Sequence, residues 1–386
     1  MLRVAVLVLF AALPGVASAS PSLVVDIGTG RVLHAEDAFK RWNPASLTKL
    51  MTAYAAFREI ASGNLTLQSP VRISSNARNN PPARLGYPAG TVLTLDAALT
   101  IMIVKSANDV AVAVGESVSG EEADFVARMN AEAARLGMAD THFANPNGLY
   151  DAGQYTTAHD LAILVRAIRN EFPQFAHYFS TEAVRIGEET APTYNILIGR
   201  FDGADGMKTG FVCASGFNLA GTATRDSTTL AAIVLGEKSQ QARAEKAAVL
   251  LEQGFSALPR EAEYPLLGEM AAPEGATTDV ADMTSVVCTD EARANRWDGR
   301  EVEGYMTFDT PSIHALTRAP EVVPVRTGGA VGSSKSATML LGRLVRAIPV
   351  PDQKPERVTL YDDSDLEKYG LRPGFDAPVP GRRPES

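Results

Sequence analysis

Between residues 20 and 255 the apolar and polar positions switch repeatedly between strand-like and helix-like patterns. Residues 22–27 and 31–34, joined by Gly28-Thr29-Gly30, read as a hairpin. A long run of good helix formers occupies residues 44–60 and stops at Ser62-Gly63-Asn64. Further helices are predicted at 94–103, 109–118, 122–136 and 157–169, the last opening on Thr157 and Asp160 in a capping-box-like pair. Strand-like runs follow at 207–212, 217–224 and 229–235, then a helix at 239–255. Strands at both ends with helices between them predict an α+β domain, one antiparallel sheet with helices packed on its faces.

Beyond residue 255 the texture changes. Thirteen of the 23 prolines fall in the last 131 residues, where short apolar runs are broken by Pro and Gly. Strand candidates there are 284–287 and 302–307, and an amphipathic stretch covers 338–348. The expected division is therefore a front domain at 20–255, a smaller, β-rich C-terminal domain or extension at 256–370, and a disordered Pro-rich tail at 371–386.

Residues 1–19 carry one positive charge at Arg3, an apolar run over 4–13 and the small residues Ala17-Ser18-Ala19, the pattern of a cleavable secretory signal. The apolar run, about ten residues, is short of the roughly 20 needed to span a bilayer. Export changes the meaning of the only two cysteines, Cys213 and Cys288. In an oxidising compartment they can form a structural disulfide, and the other reading is two buried thiols.

Composition removes several classes of function. The 386 residues are 45% hydrophobic and 21% charged, which is globular, and the net charge of −9 comes without a Lys/Arg-rich block. Nucleic acid is therefore not expected as a partner, nor an anionic lipid surface. There is no HExxH, CxxC, GxGxxG or P-loop fingerprint, and His34, His142, His159, His177 and His314 stand at no ligand spacing. No metal and no cofactor are expected.

Three short motifs carry the chemistry: Ser46-Leu47-Thr48-Lys49, Ser106-Ala107-Asn108 and Lys208-Thr209-Gly210. Each alone is common, and their order on an exported chain gives them weight. A serine hydroxyl is a weak nucleophile near neutral pH and needs a base. Lys49 lies three residues on, hence on the same face of a helix whose start Asn43-Pro44 marks. It can serve as that base only if burial and a second cation, for which Lys208 is the candidate, pull its pKa well below about 10.4. Ser106 can relay a proton to a leaving amine, and Asn108 can bond substrate or Lys49; the bland reading of both is helix capping. Lys208, Thr209 and Gly210 open a strand along which a peptide could add as an extra strand, with the amides of Ser46 and Phe211 as an oxyanion pair.

These residues resemble the active-site serine penicillin-recognising enzymes, and among them the D-alanyl-D-alanine carboxypeptidases of peptidase family S11, the low-molecular-mass penicillin-binding proteins. The likeness extends to Asn43 through Thr52, to Thr141-His142-Phe143-Ala144-Asn145-Pro146-Asn147-Gly148-Leu149 with Gly153 through Asp160, and to Asp205-Gly206-Met207-Lys208-Thr209-Gly210 leading to Ala214 through Leu219. It covers about residues 20–255, the catalytic domain. The resemblance implies an acyl-enzyme on Ser46, release of the terminal D-Ala from peptidoglycan stem peptides, and inhibition by β-lactams as covalent partners. It also implies that Arg243, with Thr209, binds the substrate's terminal carboxylate; the alternative is an exposed helix residue. A class A β-lactamase is disfavoured because no ExxLN segment stands between Ser106 and Lys208. A D,D-endopeptidase and a non-catalytic cell-wall binding protein are the remaining alternatives. The tail lacks the amphipathic helix with which many members anchor to the membrane, so a soluble or loosely membrane-associated periplasmic protein is expected.

Overall fold

The computed structural model describes residues 20–295, 301–302, 305–306 and 308–335. The expected signal at 1–19, the amphipathic stretch at 338–348 and the tail at 371–386 lie outside them. In chain order the elements are β1 (Ser22–Asp26), β2 (Val32–Glu36), α1 (Thr48–Ala61), β3 (Pro70–Arg72), α2 (Ser75–Arg78), β4 (Val92–Thr94), α3 (Leu95–Val104), α4 (Asn108–Ser119), α5 (Glu122–Leu136), α6 (Ala158–Glu171), α7 (His177–Ser180), β5 (Ala183–Ile186), β6 (Glu189–Pro192), β7 (Ala204–Val212), β8 (Gly216–Arg225), β9 (Thr228–Glu237) and α8 (Gln240–Ala257). The helices start where the sequence offers a cap. Thr94, Thr157 and Ser239 accept hydrogen bonds from the amides of Ala97, Asp160 and Ala242, each satisfying a donor the helix itself leaves open.

One five-stranded antiparallel sheet, ordered β2-β1-β9-β8-β7, joins the first residues of the domain to its last strands. Strand periodicity divides its side chains between two layers. Val24, Leu219, Leu230, Ala232 and Val234 pack on one face with Ala244, Ala247, Ala248 and Leu251 of α8. Leu23, Val25, Ala220, Ala231, Ile233 and Leu235 face the larger core, with Leu50 and Tyr54 of α1, Leu99 and Met102 of α3, Val110 of α4 and Leu161 of α6. The α+β architecture is thus a sheet sandwiched by helices, and every residue of α3 except Asp96 is buried. Beyond the main sheet, β3 pairs with β4 and β5 with β6, short ribbons that the sequence pattern did not single out.

Behind residue 257 the described chain runs as an extension over the front domain. It contains α9 (Thr284–Val287), α10 (Asp290–Asn295), the two-residue strands β10 (Glu301–Val302) and β11 (Tyr305–Met306), and β12 (Val322–Val325). Its backbone is tied down along its length: Val32 N donates to Pro265 O, Leu267 N to Gly30 O, Ala281 N to Arg41 O, Met283 N to Ala214 O and His314 N to Arg200 O. β12 then adds in parallel to β5, and Val331 N reaches Gln68 O. Cys213 and Cys288 are joined in a disulfide, S–S 2.05 Å, which fastens the extension to the turn between β7 and β8.

One expectation for this part is corrected. Residues 284–287, expected as a strand, form a single helical turn, with Val286 N and Val287 N both donating to Met283 O and Asp282 capping Thr284 N. A four-residue run of β-branched and small residues is too short for its period to decide. In the run expected as a strand at 302–307, the described residues Val302, Tyr305 and Met306 are strand, and β10 and β11 pair with each other in antiparallel register.

Candidate active site

Asn43 and Pro44 lead into a tight 3-10 turn at Ala45–Leu47, and only then does α1 begin at Thr48. Ser46 therefore stands one turn ahead of the α-helix, where the sequence pattern had placed it just inside. Ala45 holds a φ of +48°, a left-handed conformation that costs a residue with a side chain. The surroundings enforce it. Asn218 of β8 donates to the carbonyls of Asn43 (2.9 Å) and Pro44 (3.2 Å) while its Oδ1 accepts from Gly236 N. Gly148, itself at φ +85°, presses on the turn so closely that a Cβ there would lie 1.9 Å from Ala45 O. Gly210 of β7 approaches from the sheet, and a Cβ there would come within 3.0 Å of Ser46 N. Both glycines are required by close approach of backbone to backbone.

Lys49 is fully buried in the first turn of α1. Its Nζ lies 2.9 Å from Ser46 Oγ, 2.8 Å from Asn108 Oδ1 and 2.5 Å from Asn147 O. Two of these partners, an amide oxygen and a carbonyl, can only accept. In its neutral form the amine can satisfy both with its two N–H groups and accept from the Ser46 hydroxyl with its lone pair. Burial, and then the positive charge of Lys208, hold the Lys49 pKa well below its ordinary value, with Asp109 opposing. The arrangement equips Lys49 to take a proton from Ser46.

Ser106 sits between α3 and α4 at φ +62°, and its Oγ accepts from Lys208 Nζ at 2.9 Å. Ala107 occupies the cap position of α4 and Asn108 is its first residue. Asn108 does not cap: its Oδ1 meets Lys49, and its Nδ2 donates to Pro81 O at 3.0 Å. Lys208 is buried on β7 and donates also to Thr209 O. Burial and the neighbouring charge of Arg243 lower its pKa to about 7. Ser46, Lys49, Ser106, Asn108 and Lys208, drawn from three distant stretches, thus form two adjoining hydrogen-bonded groups, coupled through the charges of the two lysines.

β7 is the edge strand of the sheet, and the turn carrying Ser46 lies beside it at Gly210. Thr209 and Phe211 flank that contact, and Phe211 stacks on Phe217 with ring centroids 4.2 Å apart. Arg243 is 4% exposed, so it is no solvated helix residue. It reaches from α8 to the back of the strand, with Nη1 donating to Gly210 O and Asn218 O and Nη2 to Tyr194 O. All three partners are neutral carbonyls, and burial lowers the guanidinium pKa to about 9. Its charge therefore stands behind Lys208, Thr209 and Gly210 without a carboxylate on the guanidinium.

Four contributors have no role legible in the sequence: Asn147, Asn218, Asp109 and the segment 80–86. Asn147 acts through its carbonyl, which leaves no letter in a sequence, although the stretch 141–149 was among those carrying the family likeness. Asn218 is an amide inside a strand-like run, where its bonds to a distant turn have no local signature. Asp109 directly follows the second motif.

The family model described as D-alanyl-D-alanine carboxypeptidase, peptidase S11, matches residues 10–239. The chain is 35% identical over 252 residues to the D-alanyl-D-alanine carboxypeptidase DacD of Salmonella typhimurium, which is 64% of this chain and 65% of that relative's length. The solved structure of penicillin binding protein 6B from Escherichia coli superimposes with a TM-score of 0.58 at 34% identity, covering 64% of this chain and 80% of that one. Penicillin-Binding Protein D2 from Listeria monocytogenes, solved in an ampicillin-bound form, matches with a TM-score of 0.55 at 28% identity over 63% of this chain and all of that one. With a family model matching more than half of its length and the three motifs brought to one cleft, the chain belongs to the S11 family of D-alanyl-D-alanine carboxypeptidases.

Proposed function

We propose that the chain is a serine D-alanyl-D-alanine carboxypeptidase, exported to the periplasm with removal of residues 1–19, that trims the terminal D-Ala from peptidoglycan stem peptides. The observation that carries this reading is the placement of a buried lysine amine 2.9 Å from the Ser46 hydroxyl. Ser46 Oγ attacks the carbonyl carbon between the two D-Ala residues, and its proton passes to Lys49 Nζ. The oxyanion so formed is held by the amides of Ser46 and Phe211. When the C–N bond breaks, the proton passes through Ser106 to the departing amine of D-Ala. Lys49 then takes a proton from water as that water attacks the ester carbonyl, and when the C–O bond to Ser46 breaks Lys49 returns the proton to Ser46 Oγ.

The charge of the cleft suits the substrate's end. A C-terminal carboxylate lying along β7 would meet Thr209, with Lys208 and Arg243 behind it. A β-lactam offers the same reacting amide inside a ring, so its leaving group stays tethered after acylation and the Ser46 ester persists. Among the described residues no glutamate is hydrogen-bonded to Ser46 or Lys49, which supports a peptidase over a class A β-lactamase. No helix of the described residues is long and apolar enough to cross a membrane.

The test is mass analysis of purified muropeptides after incubation. Loss of one alanine from monomers is the expected result, and conversion of dimers to monomers without it would make the enzyme an endopeptidase. Ser46→Ala is expected to abolish both alanine release and covalent labelling by a fluorescent penicillin while the thermal transition stays in place. Labelling of that variant would remove Ser46 from its role.

A further inference from the structure

Lys49 owes its position to two partners that are themselves held from outside. Asn108 is pinned through its amide to Ala83 O (2.6 Å) and through Nδ2 to Pro81 O (3.0 Å). Asn147, whose carbonyl receives Lys49, donates from Nδ2 to Asn80 Oδ1 at 2.7 Å. All three acceptors belong to one segment, residues 80–86, which runs without regular structure between α2 and β4. Asn80, at its start, is tied back to α2 through Asn76 O and Ala77 O, and the far end of the segment, Leu85 and Gly86, is held by a carboxylate. Asp109, wholly buried, accepts from Leu85 N (3.0 Å) and Gly86 N (2.9 Å), and its other oxygen takes Val110 N (2.8 Å).

We propose that Asp109 is a positioning residue of this active site, clamping residues 80–86 across the cleft so that Asn108 and Asn147 hold the Lys49 amine on Ser46. Its carboxylate is suited to this by chemistry as well as by place. Two oxygens that only accept can gather three backbone amides, whereas an asparagine would turn an NH2 toward one group of those donors. The same negative charge acts on Lys49. The charged and titratable groups around the pair are Lys208 and Arg243 on the sheet side and Arg84 and Tyr87 on the segment side. Burial raises the Asp109 pKa, and its three amide partners and Arg84 work against that. Asp109 in its charged form favours the protonated Lys49, and Lys208 disfavours it.

The inference rests on the carboxypeptidase reading only for its kinetic half, and the experiment separates the two. Amide hydrogen exchange of Asp109→Asn is expected to show faster exchange at Leu85, Gly86 and Asn108 than in the unaltered chain, whatever the enzyme's substrate. Penicillin acylation by the same variant is expected to fall by about 10²-fold, the scale of a catalytic group displaced by about 1 Å. Its acid limb should move to lower pH, because a charge that favours protonated Lys49 is gone; a merely structural residue would lower the rate without moving the limb. Asn80→Ala, which leaves Asp109 in place, should reduce acylation in the same direction with the limb unmoved, and serves if Asp109→Asn fails to fold. Unchanged exchange at 85–86 in a folded Asp109→Asn, or full acylation by Asn80→Ala, would overturn the clamp. A wild-type chain that takes no penicillin would instead sink the carboxypeptidase reading, leaving the exchange result to decide the clamp alone.

Discussion

The cleft and the extension behind residue 257 use the chain's polar groups in opposite ways. In the cleft, Lys49, Lys208 and Arg243 are buried, and among the described residues no carboxylate is a hydrogen-bond partner of any of them. Desolvation works against each charge, and what is gained is reactivity and a place for an anion. Along the extension the bonds are mostly neutral and backbone to backbone, and the one covalent tie is the disulfide at the β7–β8 turn. Such bonds add stability and no chemistry. One chain thus keeps a strained, charged centre and a fastening strap, and the two meet at the hairpin that carries Lys208.

Substitutions separate these roles. After the loss of Ser46 itself, the largest effect is expected from Lys208→Ala, which should lower penicillin acylation by about 10²–10³-fold, the scale for losing one preorganised electrostatic group. The pH profile sharpens the assignment. Lys208 is a cation that depresses the Lys49 pKa, so removing it lets that pKa rise, and the acid limb of acylation should move to higher pH, opposite to Asp109→Asn. A limb that stays put would show that the two lysines are not coupled.

Cys213→Ser with Cys288→Ser is expected to act on the other region. The bridge spans a sequence separation of 75 residues. In the chain-entropy model its loss costs about 4 kcal/mol, readable as a lower denaturant midpoint, while acylation below that midpoint should stay within a few-fold of the unaltered chain. A loss of acylation as deep as that of Lys208→Ala would mean that the strap holds the catalytic geometry itself. The smallest effect is expected at Arg318, whose exposed guanidinium pairs with Glu182 near β5. Arg318→Ala should leave acylation unchanged and the thermal transition nearly so, as exposed ion pairs contribute little. A large shift there would show that docking of β12 depends on that pair.

Legibility in the sequence followed element length and the directness of side-chain roles. The helix expected at 122–136 has those bounds because fifteen residues carry several turns of one amphipathic pattern. The strands β8 and β9, ten residues each, are legible as strand-like runs at 217–224 and 229–235 because of their length. By contrast, residues 284–287 were misread, since four residues complete barely one helical turn or two strand repeats. The ribbons β3–β4 and β5–β6 carry no clear signal because their strands are only three and four residues long, too short for a period of two to stand out.

What the sequence determined by itself was the alternation of strands and helices, the α+β class, and the identities of the groups able to do acyl-transfer chemistry, because propensity, periodicity and the functional group of a side chain are properties of short stretches. What only the tertiary structure decided was how those groups are held. The carbonyl of Asn147 on Lys49, the grip of Asn218 on the turn before Ser46, the segment 80–86 fastened by Asp109, and Arg243 set behind the strand all depend on backbone atoms meeting across tens of residues. Every residue carries the same carbonyl and nearly every one the same amide, so their use is written only in the folded chain.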